Sequence, residues 1–203
     1  IPGEGWEVVS EGHQLTGAAA VNENGELFFA DVSTGKRFFI PKTGPVSEVS
    51  DTIRPEISQH FGKEGWRYAV TRDGSQVLVY PPNAPSAVVA EGGFESELAV
   101  THSGNVYVIA SEDKAPAGRR IWLLRPDKSR VTLTIAVSSP GGMALSPDQS
   151  LLYVTDRDSQ WVYSYQLQAD GRLAHEQRYG WLHLSDTKSE SLPKGICCDR
   201  DGR

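Results

Sequence analysis

Residues 141–173 read GGMALSPDQSLLYVTDRDSQWVYSYQLQADGRL, and this stretch decides the fold. It holds three short runs rich in aliphatic, aromatic and β-branched residues, as strands are, at residues 143–145, 151–155 and 161–167. Tight turns are expected around Pro147 and Gly171, because both residue types favour turn backbones. We predict a fourth strand near residues 175–179. Four antiparallel strands within about 40 residues are typical of one blade of a β-propeller.

The same strand–turn–strand unit recurs along the chain. In each copy we predict a first strand next to the propeller axis, at residues 18–21, 68–70, 98–100, 143–145 and 196–198. The turns that follow these strands are spaced by 49, 30, 45 and 53 residues, at Gly25, Gly74, Gly104, Gln149 and Gly202. The unequal spacing predicts outer loops of different lengths.

These copies predict an all-β chain. We expect a single, incomplete β-propeller domain over residues 1–203, with about four blades and the start of a fifth. Residues 51–63 and 114–120 lack the pattern and are predicted to be loops. Six blades would need about 270 residues. An open propeller leaves sheet faces and edges uncovered. We therefore expect either a fragment of a longer protein, which we favour, or self-association across the open faces.

Composition limits the classes of function. The net charge of −6 and the scattered lysines and arginines give no sign of nucleic-acid binding. No apolar run approaches the about 20 residues of a membrane-spanning helix, so we expect no membrane partner. Cys197 and Cys198 are adjacent and too few for a zinc site. They form either a vicinal disulfide or, as we favour, two small apolar residues on an inner strand.

Four segments resemble the SMP-30/gluconolactonase/luciferin-regenerating-enzyme family, and its bacterial gluconolactonase-like members in particular. They are TGAAAVNENGELFFAD at residues 16–31, SELAVTHSGNVYV at 96–108, GGMALSPDQSLLYVTD at 141–156 and PKGICCDRDGR at 193–203. The resemblance implies a six-bladed propeller with a divalent cation, usually Ca²⁺ or Zn²⁺, in its central channel. This cation polarises a lactone carbonyl and activates water, so the implied activity is hydrolysis of sugar or other small lactones.

The resemblance also implies where the cation ligands lie, and this chain lacks them. In the family one ligand is the Glu of a Thr-Glu-Gly-Pro motif, and that position is Gly17 here. The others are an Asn before Asp, an Asn before Gly and an Asp before Gly, which become Ser96, Gly141 and Lys194. Lys194 would repel a divalent cation at short range. We therefore expect no metal or other cofactor in the channel.

These four positions, together with Glu97 and Trp66, are our candidates for channel-facing residues that bind a ligand. Glu95 and Glu97 alternate on a strand, which suits a carboxylate pair for acid–base chemistry or, as we favour, two solvated charges. Lys194 either forms a salt bridge with Glu97 in place of the metal or is exposed in a turn. Trp66, at the predicted start of the second copy, either stacks on a ligand or, as we favour, plugs the channel.

Two functions from different classes are compatible with these residues. The first is a lactonase-like hydrolase, which the family resemblance supports. The second is a non-catalytic propeller that binds a small molecule or a protein partner through its channel face, and the missing cation ligands favour it. The sequence identifies neither a substrate nor a catalytic residue. The resemblance to bacterial members suggests a periplasmic or extracellular location, with the cytoplasm as the alternative.

Overall fold

The computed structural model describes residue 5 and residues 7–49, 54–111, 119–183 and 193–202, without the side chains of Ser96 and Arg119. Within these residues all regular structure is β-strand, apart from one 3₁₀ turn at Lys63–Gly65. No helix in this part of the chain is long and apolar enough to cross a membrane. The prediction of an all-β chain is confirmed. The predicted loop at residues 114–120 lies largely outside the described residues.

The strands form four antiparallel sheets of four strands, each in chain order. The first sheet contains β1 (Thr16–Val21), β2 (Leu27–Asp31), β3 (Lys36–Ile40) and β4 (Ser47–Val49). The second contains β5 (Glu56–Phe61), β6 (Arg67–Thr71), β7 (Gln76–Tyr80) and β8 (Ala87–Glu91). The third contains β9 (Phe94–Val100), β10 (Val106–Ser111), β11 (Arg119–Leu124) and β12 (Arg130–Leu133). The fourth contains β13 (Pro140–Leu145), β14 (Leu151–Asp156), β15 (Trp161–Leu167) and β16 (Leu173–Trp181).

The first strand of each sheet is its inner strand. β1 packs beside β5, β5 beside β9, and β9 beside β13. The four sheets are therefore successive blades around one axis, as the repeated unit predicts. The third blade shows how the core is built, because alternate residues of a strand face opposite sides of its sheet. Leu98 and Val108 pack towards the second blade, whereas Ala99 and Tyr107 pack towards the fourth.

The second blade begins one strand earlier than we predicted. Its inner strand is β5, which lies in a segment predicted to be a loop, and residues 68–70 belong to the second strand, β6. The Gly74 turn therefore joins the second and third strands of its blade, whereas the turns at Gly25 and Gly104 join the first and second. The spacings of 49 and 30 residues reflect this shift of one strand. The prediction of outer loops of different lengths is therefore wrong for these two spacings, whereas the spacings of 45 and 53 residues do not depend on the shift.

The segment that starts the fifth copy is extended but is not a strand. Residues 193–199 have no ladder partner among the described residues, so the predicted strand at 196–198 is wrong. The segment still lies beside the inner strand of the fourth blade, because a Cβ added at Gly142 would be 2.7 Å from the Lys194 carbonyl oxygen. Its turn forms as predicted, with the Gly202 N–H donating to the Asp199 carbonyl oxygen at 3.1 Å.

Buried polar contacts, rather than apolar packing alone, hold β5 in place. Glu56 Oε2 and Arg67 Nη1 form a salt bridge whose side chains are 1% and 4% exposed. The Arg67 guanidinium also lies 3.8 Å from the centre of the Tyr80 ring and donates to Gln59 Oε1 at 3.5 Å. Gln59 Nε2 in turn donates to the Ala18 carbonyl oxygen at 2.5 Å. One connected network thus joins the first two blades.

The turn after β13 places a non-glycine residue in left-handed backbone. Gln149 has a φ of 55°, at a position that Gly25 and Gly104 occupy in the matching turns of the first and third blades. Left-handed backbone costs an L-residue about 1 kcal/mol relative to glycine. The Gln149 side chain supplies a compensating contact, because its Oε1 accepts a hydrogen bond from the His102 N–H at 2.7 Å. This bond links the turns of two neighbouring blades.

We predict that Glu56→Gln lowers the free energy of unfolding by about 3 kcal/mol, because it leaves the Arg67 charge buried without a counter-ion. Urea denaturation followed by fluorescence measures the change. The matched control is Glu48→Gln, which breaks the half-exposed Lys36–Glu48 pair and should cost less than about 1 kcal/mol. Equal effects of the two substitutions would contradict a structural role for the buried pair.

We predict that Gln149→Ala is less stable than Gln149→Gly by about 1 kcal/mol. Both variants lose the hydrogen bond to His102, but only glycine also relieves the left-handed backbone. Thermal denaturation of the two variants beside the parent protein measures the difference. An alanine variant as stable as the glycine variant would show that the turn changes conformation on substitution.

Candidate functional site

The inner strands line an open cavity of about 1060 Å³ at the centre of the four blades. Its walls come from β1, β5, β9 and β13 and from residues 196–198. We call it the channel cavity. Its wall is mixed, with apolar residues such as Leu98 and Met143 beside polar side chains at Asn22, Glu23, Gln59, His60, Lys63, Glu97, His102, Ser103, Ser146 and Gln149. A ligand in this cavity would therefore meet both apolar surface and several polar groups.

Glu97 places a carboxyl group in the channel cavity. Its side chain is half-buried, and no hydrogen bond or ion pair joins it to another described residue, Lys194 included. Burial raises the pKa of Glu97 to about 7, because a poorly solvated site disfavours the charged carboxylate. The group therefore gains and loses its proton near neutral pH. The predicted alternative, a channel salt bridge between Lys194 and Glu97, is not formed.

A bulge in β9 separates Glu97 from Glu95. Leu98 pairs with Val108 of β10, and Phe94 pairs with Ala110. The three residues 95–97 of β9 therefore lie opposite a single residue of β10. This extra length interrupts the alternation of side chains that we used to place both carboxylates on one face. Only Glu97 of the two lines the channel cavity.

His60 lies on the same cavity in the uncharged state. Burial lowers the pKa of His60 to about 4, and the neighbouring His102 lowers it further. Its Nδ1 is buried and has no hydrogen-bond partner among the described groups. A neutral imidazole with an unpaired ring nitrogen can accept or donate one hydrogen bond, depending on its tautomer. His60 is thus a second unpaired polar group on the wall that carries Glu97.

Each inner strand bulges near its start. The register shifts fall between Gly17 and Ala20, between Glu56 and Ser58, between Phe94 and Leu98, and between Pro140 and Met143. A bulge changes the direction of the side chains within it. Gly17, Ser96 and Gly141 all lie in or at the edge of these bulges.

Four other predicted site residues do not line the channel cavity, namely Gly17, Trp66, Gly141 and Lys194. Gly17 instead lines a separate cavity of about 450 Å³ on the outer face of the first blade, with Phe29. Trp66 follows the 3₁₀ turn between β5 and β6, is 40% exposed, and is neither a strand start nor a channel plug. Lys194 is exposed. The side chain of Ser96 lies outside the described part of the structure.

Gly141 and Gly142 have a packing role that explains their lack of side chains. A Cβ at Gly141 would lie 2.2 Å from the Pro193 carbonyl oxygen and 2.7 Å from Arg157 Cγ. At Gly142 the same atom would lie 2.7 Å from the Lys194 carbonyl oxygen. Real Cβ atoms do not approach backbone this closely. The glycine pair therefore allows residues 193–195 to pack directly on β13, the fourth inner strand. An Asn side chain at Gly141 would occupy the same space.

A divalent cation does not fit these residues. Ca²⁺ and Zn²⁺ need several oxygen, nitrogen or sulfur ligands, whereas Gly17 and Gly141 have no side chain and Lys194 carries a positive charge. Within the described ranges, no group of three or more His, Cys, Asp or Glu side chains could hold a metal ion.

The two adjacent cysteines also line the channel cavity. Cys197 and Cys198 are both free thiols, so they do not form the vicinal disulfide that was one sequence alternative. The favoured alternative, two apolar residues on an inner strand, is also wrong, since the segment is not a strand and Cys197 is exposed. Burial raises the pKa of the Cys198 thiol, which makes its thiolate less abundant.

Sequence reasoning missed Gln59 and the role of His60, because it assigned both to a loop. A signal was present in the turn spacing. Gly25 and Gly104 are 79 residues apart, which is two repeats of about 40 residues. An inner strand was therefore required about midway between the first and third ones, and β5 occupies that place.

Solved structures of several enzymes share this fold. A gluconolactonase from Xanthomonas campestris aligns with a TM-score of 0.73 and 16% identity, over 94% of this chain and 68% of its own. A putative gluconolactonase aligns with a TM-score of 0.70 and 18% identity, over 96% and 71%. A luciferin-regenerating enzyme aligns with a TM-score of 0.64 and 14% identity, over 94% and 67%. These similarities concern the fold.

The sequence itself gives the family. A search of curated proteins finds no significant match. The family model described as the SMP-30/gluconolactonase/LRE-like region, however, matches residues 15–203, which is nearly the whole chain. The match includes all four blades and the segment that follows them, and it agrees with the segments on which the resemblance was based. The chain therefore belongs to the SMP-30/gluconolactonase/LRE-like family.

Proposed function

We propose that the channel cavity binds a small polyhydroxylated molecule, such as a sugar lactone or the corresponding sugar acid, without a divalent cation. The observation that carries the proposal is the Glu97 carboxyl, which is half-buried, unpaired among the described residues and has a pKa of about 7. An unpaired polar group in a poorly solvated cavity is costly. A ligand hydroxyl that hydrogen-bonds to it would recover part of that cost.

The size and chemistry of the wall support a ligand of this class. The cavity, of about 1060 Å³, is at the upper end of the range for small-molecule sites. Glu97 and His60 each offer a polar group that has no partner among the described residues. The aliphatic residues between them, such as Met143, suit the carbon face of a sugar ring. Family membership adds independent support, because structures of this fold include gluconolactonases.

A second function, metal-independent hydrolysis of a small lactone, is favoured by the same carboxyl. A general base works best when its pKa lies near the working pH, and the pKa of Glu97 is about 7. In its ionised form Glu97 would take a proton from a water molecule that attacks the lactone carbonyl. The protonated Glu97 would then give this proton to the ring oxygen, which leaves as the new hydroxyl of a hydroxy acid. Binding without turnover remains the first proposal, because it requires only the unpaired Glu97 carboxyl, whereas hydrolysis also requires a group that stabilises the developing oxyanion.

We predict that D-gluconate binds more weakly as the pH rises above 7. Gluconate is an anion, and the ionised Glu97 carboxylate repels it. Its Kd, measured by isothermal titration calorimetry, should rise about tenfold per pH unit above the pKa of about 7 and level off below it. Neutral 1,5-anhydro-D-glucitol should show a much smaller dependence on pH.

The variant Glu97→Gln should remove the pH dependence for gluconate. Glu95→Gln is the matched control, because it makes the same change two residues away on a side chain that does not line the channel cavity. It should keep the parent profile. An unchanged pH slope in Glu97→Gln, or a lost slope in Glu95→Gln, would contradict the assignment of Glu97.

We predict that any hydrolysis of glucono-δ-lactone survives treatment with EDTA, because Gly17 and Gly141 have no side chain and Lys194 carries a positive charge. Its kcat/KM should rise with pH through about 7 and then become constant, since the base must be ionised. Glu97→Gln should reduce it to the spontaneous rate. Activity that is lost with EDTA and restored by Ca²⁺ or Zn²⁺ would contradict the proposal. A rate no higher than that of water alone would exclude the second function and leave the first.

A further inference from the structure

A further cavity, different from the channel cavity and from the one lined by Gly17, lies between the second and third blades and has a volume of about 450 Å³. We call it the Trp66 groove. Its lining includes Lys63, Trp66, Tyr68, Val88, Arg125 and Lys128. It lies beside the mouth of the channel cavity but does not include Glu97.

The body of the Trp66 groove is apolar and aromatic. Trp66 is 40% exposed and Val88 is 44% exposed, so both leave large apolar surfaces in contact with water. Tyr68 and Val79 continue this surface into the groove. A concave surface with an open tryptophan ring favours a flat, apolar molecule, because ring stacking adds to the burial of area.

One cation at the rim of the Trp66 groove has no counter-ion. Lys63 Nζ is 3.2 Å from the Glu64 carboxylate. Arg125 Nη2 is 4.0 Å from the Asp170 carboxylate, and Arg125 also donates through Nε and Nη2 to the Asp170 carbonyl oxygen, at 3.0 and 2.9 Å. Lys128, in contrast, forms no ion pair or hydrogen bond through its side chain with any described residue. The groove thus offers a single uncompensated positive charge.

The backbone at Lys128 is an independent sign that this side chain is functional. Four hairpin turns of the described chain share one hydrogen-bond pattern. Their left-handed position is a glycine in three cases, Gly25, Gly104 and Gly171, and Lys128, with a φ of 67°, in the fourth. Unlike Gln149, Lys128 forms no side-chain hydrogen bond or ion pair with a described residue that would offset the cost. Strain of this kind is concentrated at functional sites.

We propose that the Trp66 groove binds a planar aromatic carboxylate. The ring of the ligand stacks on Trp66, its edges contact Val79 and Val88, and its carboxylate pairs with the Lys128 ammonium. The ligand carries one negative charge because the groove has one cation without a counter-ion. This site is distinct from the channel cavity and does not depend on the function of Glu97.

The test compares three probes by isothermal titration calorimetry at low ionic strength, using the whole chain. They are 2-naphthoate, 2-naphthylmethylammonium and cyclohexanecarboxylate. We expect 2-naphthoate to bind most tightly, since only it combines a flat ring with a negative charge. Loss of a charge-assisted contact in Lys128→Gly should weaken 2-naphthoate by about tenfold. This variant also relieves the left-handed backbone, so it should be at least as stable as the parent protein.

Trp66→Ala should weaken 2-naphthoate by a similar factor, whereas Trp181→Ala should not. Trp181 is the matched control because it is 47% exposed on the fourth blade, away from the Trp66 groove. Glu97→Gln should also leave 2-naphthoate binding unchanged, which keeps this test separate from that of the channel cavity. Equal affinity for the naphthyl anion and cation would overturn the proposal. So would binding that Glu97→Gln abolishes and Lys128→Gly does not.

Discussion

The buried salt bridge between Glu56 and Arg67 is the contact on which the arrangement of the first two blades depends. It holds β5 against β6, and through Gln59 it reaches the bulge of β1. If β5 were displaced, the channel cavity would lose one of its walls, along with His60. The second, third and fourth blades pack on one another through apolar clusters of alternating strand residues. The junction between the first two blades therefore includes a buried polar network, whereas the two junctions that follow are built from apolar clusters.

This difference explains which parts of the fold the sequence could predict. The strands of the third and fourth blades were found because runs such as residues 106–110 and 151–155 are apolar or aromatic, and buried strands need such residues. β5 was missed because Glu56, Ser58 and Gln59 are buried through hydrogen bonds and ion pairing, which leave no apolar pattern in the sequence. Trp66 was then assigned to the wrong place, because the strand before it was not recognised.

The candidate site was predictable only in part, for a related reason. Glu97 was identified because it follows Ser96, a position assigned by the family resemblance, and because it alternates with Glu95 on a predicted strand. Its distance from Glu95 depends on a bulge, and a bulge cannot be read from the alternation that it interrupts. The contact of Gly141 with Pro193 joins segments that are far apart in the chain. The family resemblance located these positions, but only the packing shows why no side chain stands at Gly141.

The Gly141–Gly142 pair has a consequence for how this chain could change its chemistry. A metal ligand cannot be introduced at Gly141 through one substitution, because any side chain there would collide with the Pro193 backbone and with Arg157. Residues 193–195 would have to move away first, and they can pack on β13 because Gly141 and Gly142 have no side chains. Several coordinated changes would therefore be needed to place a coordinating side chain at this point of the strand.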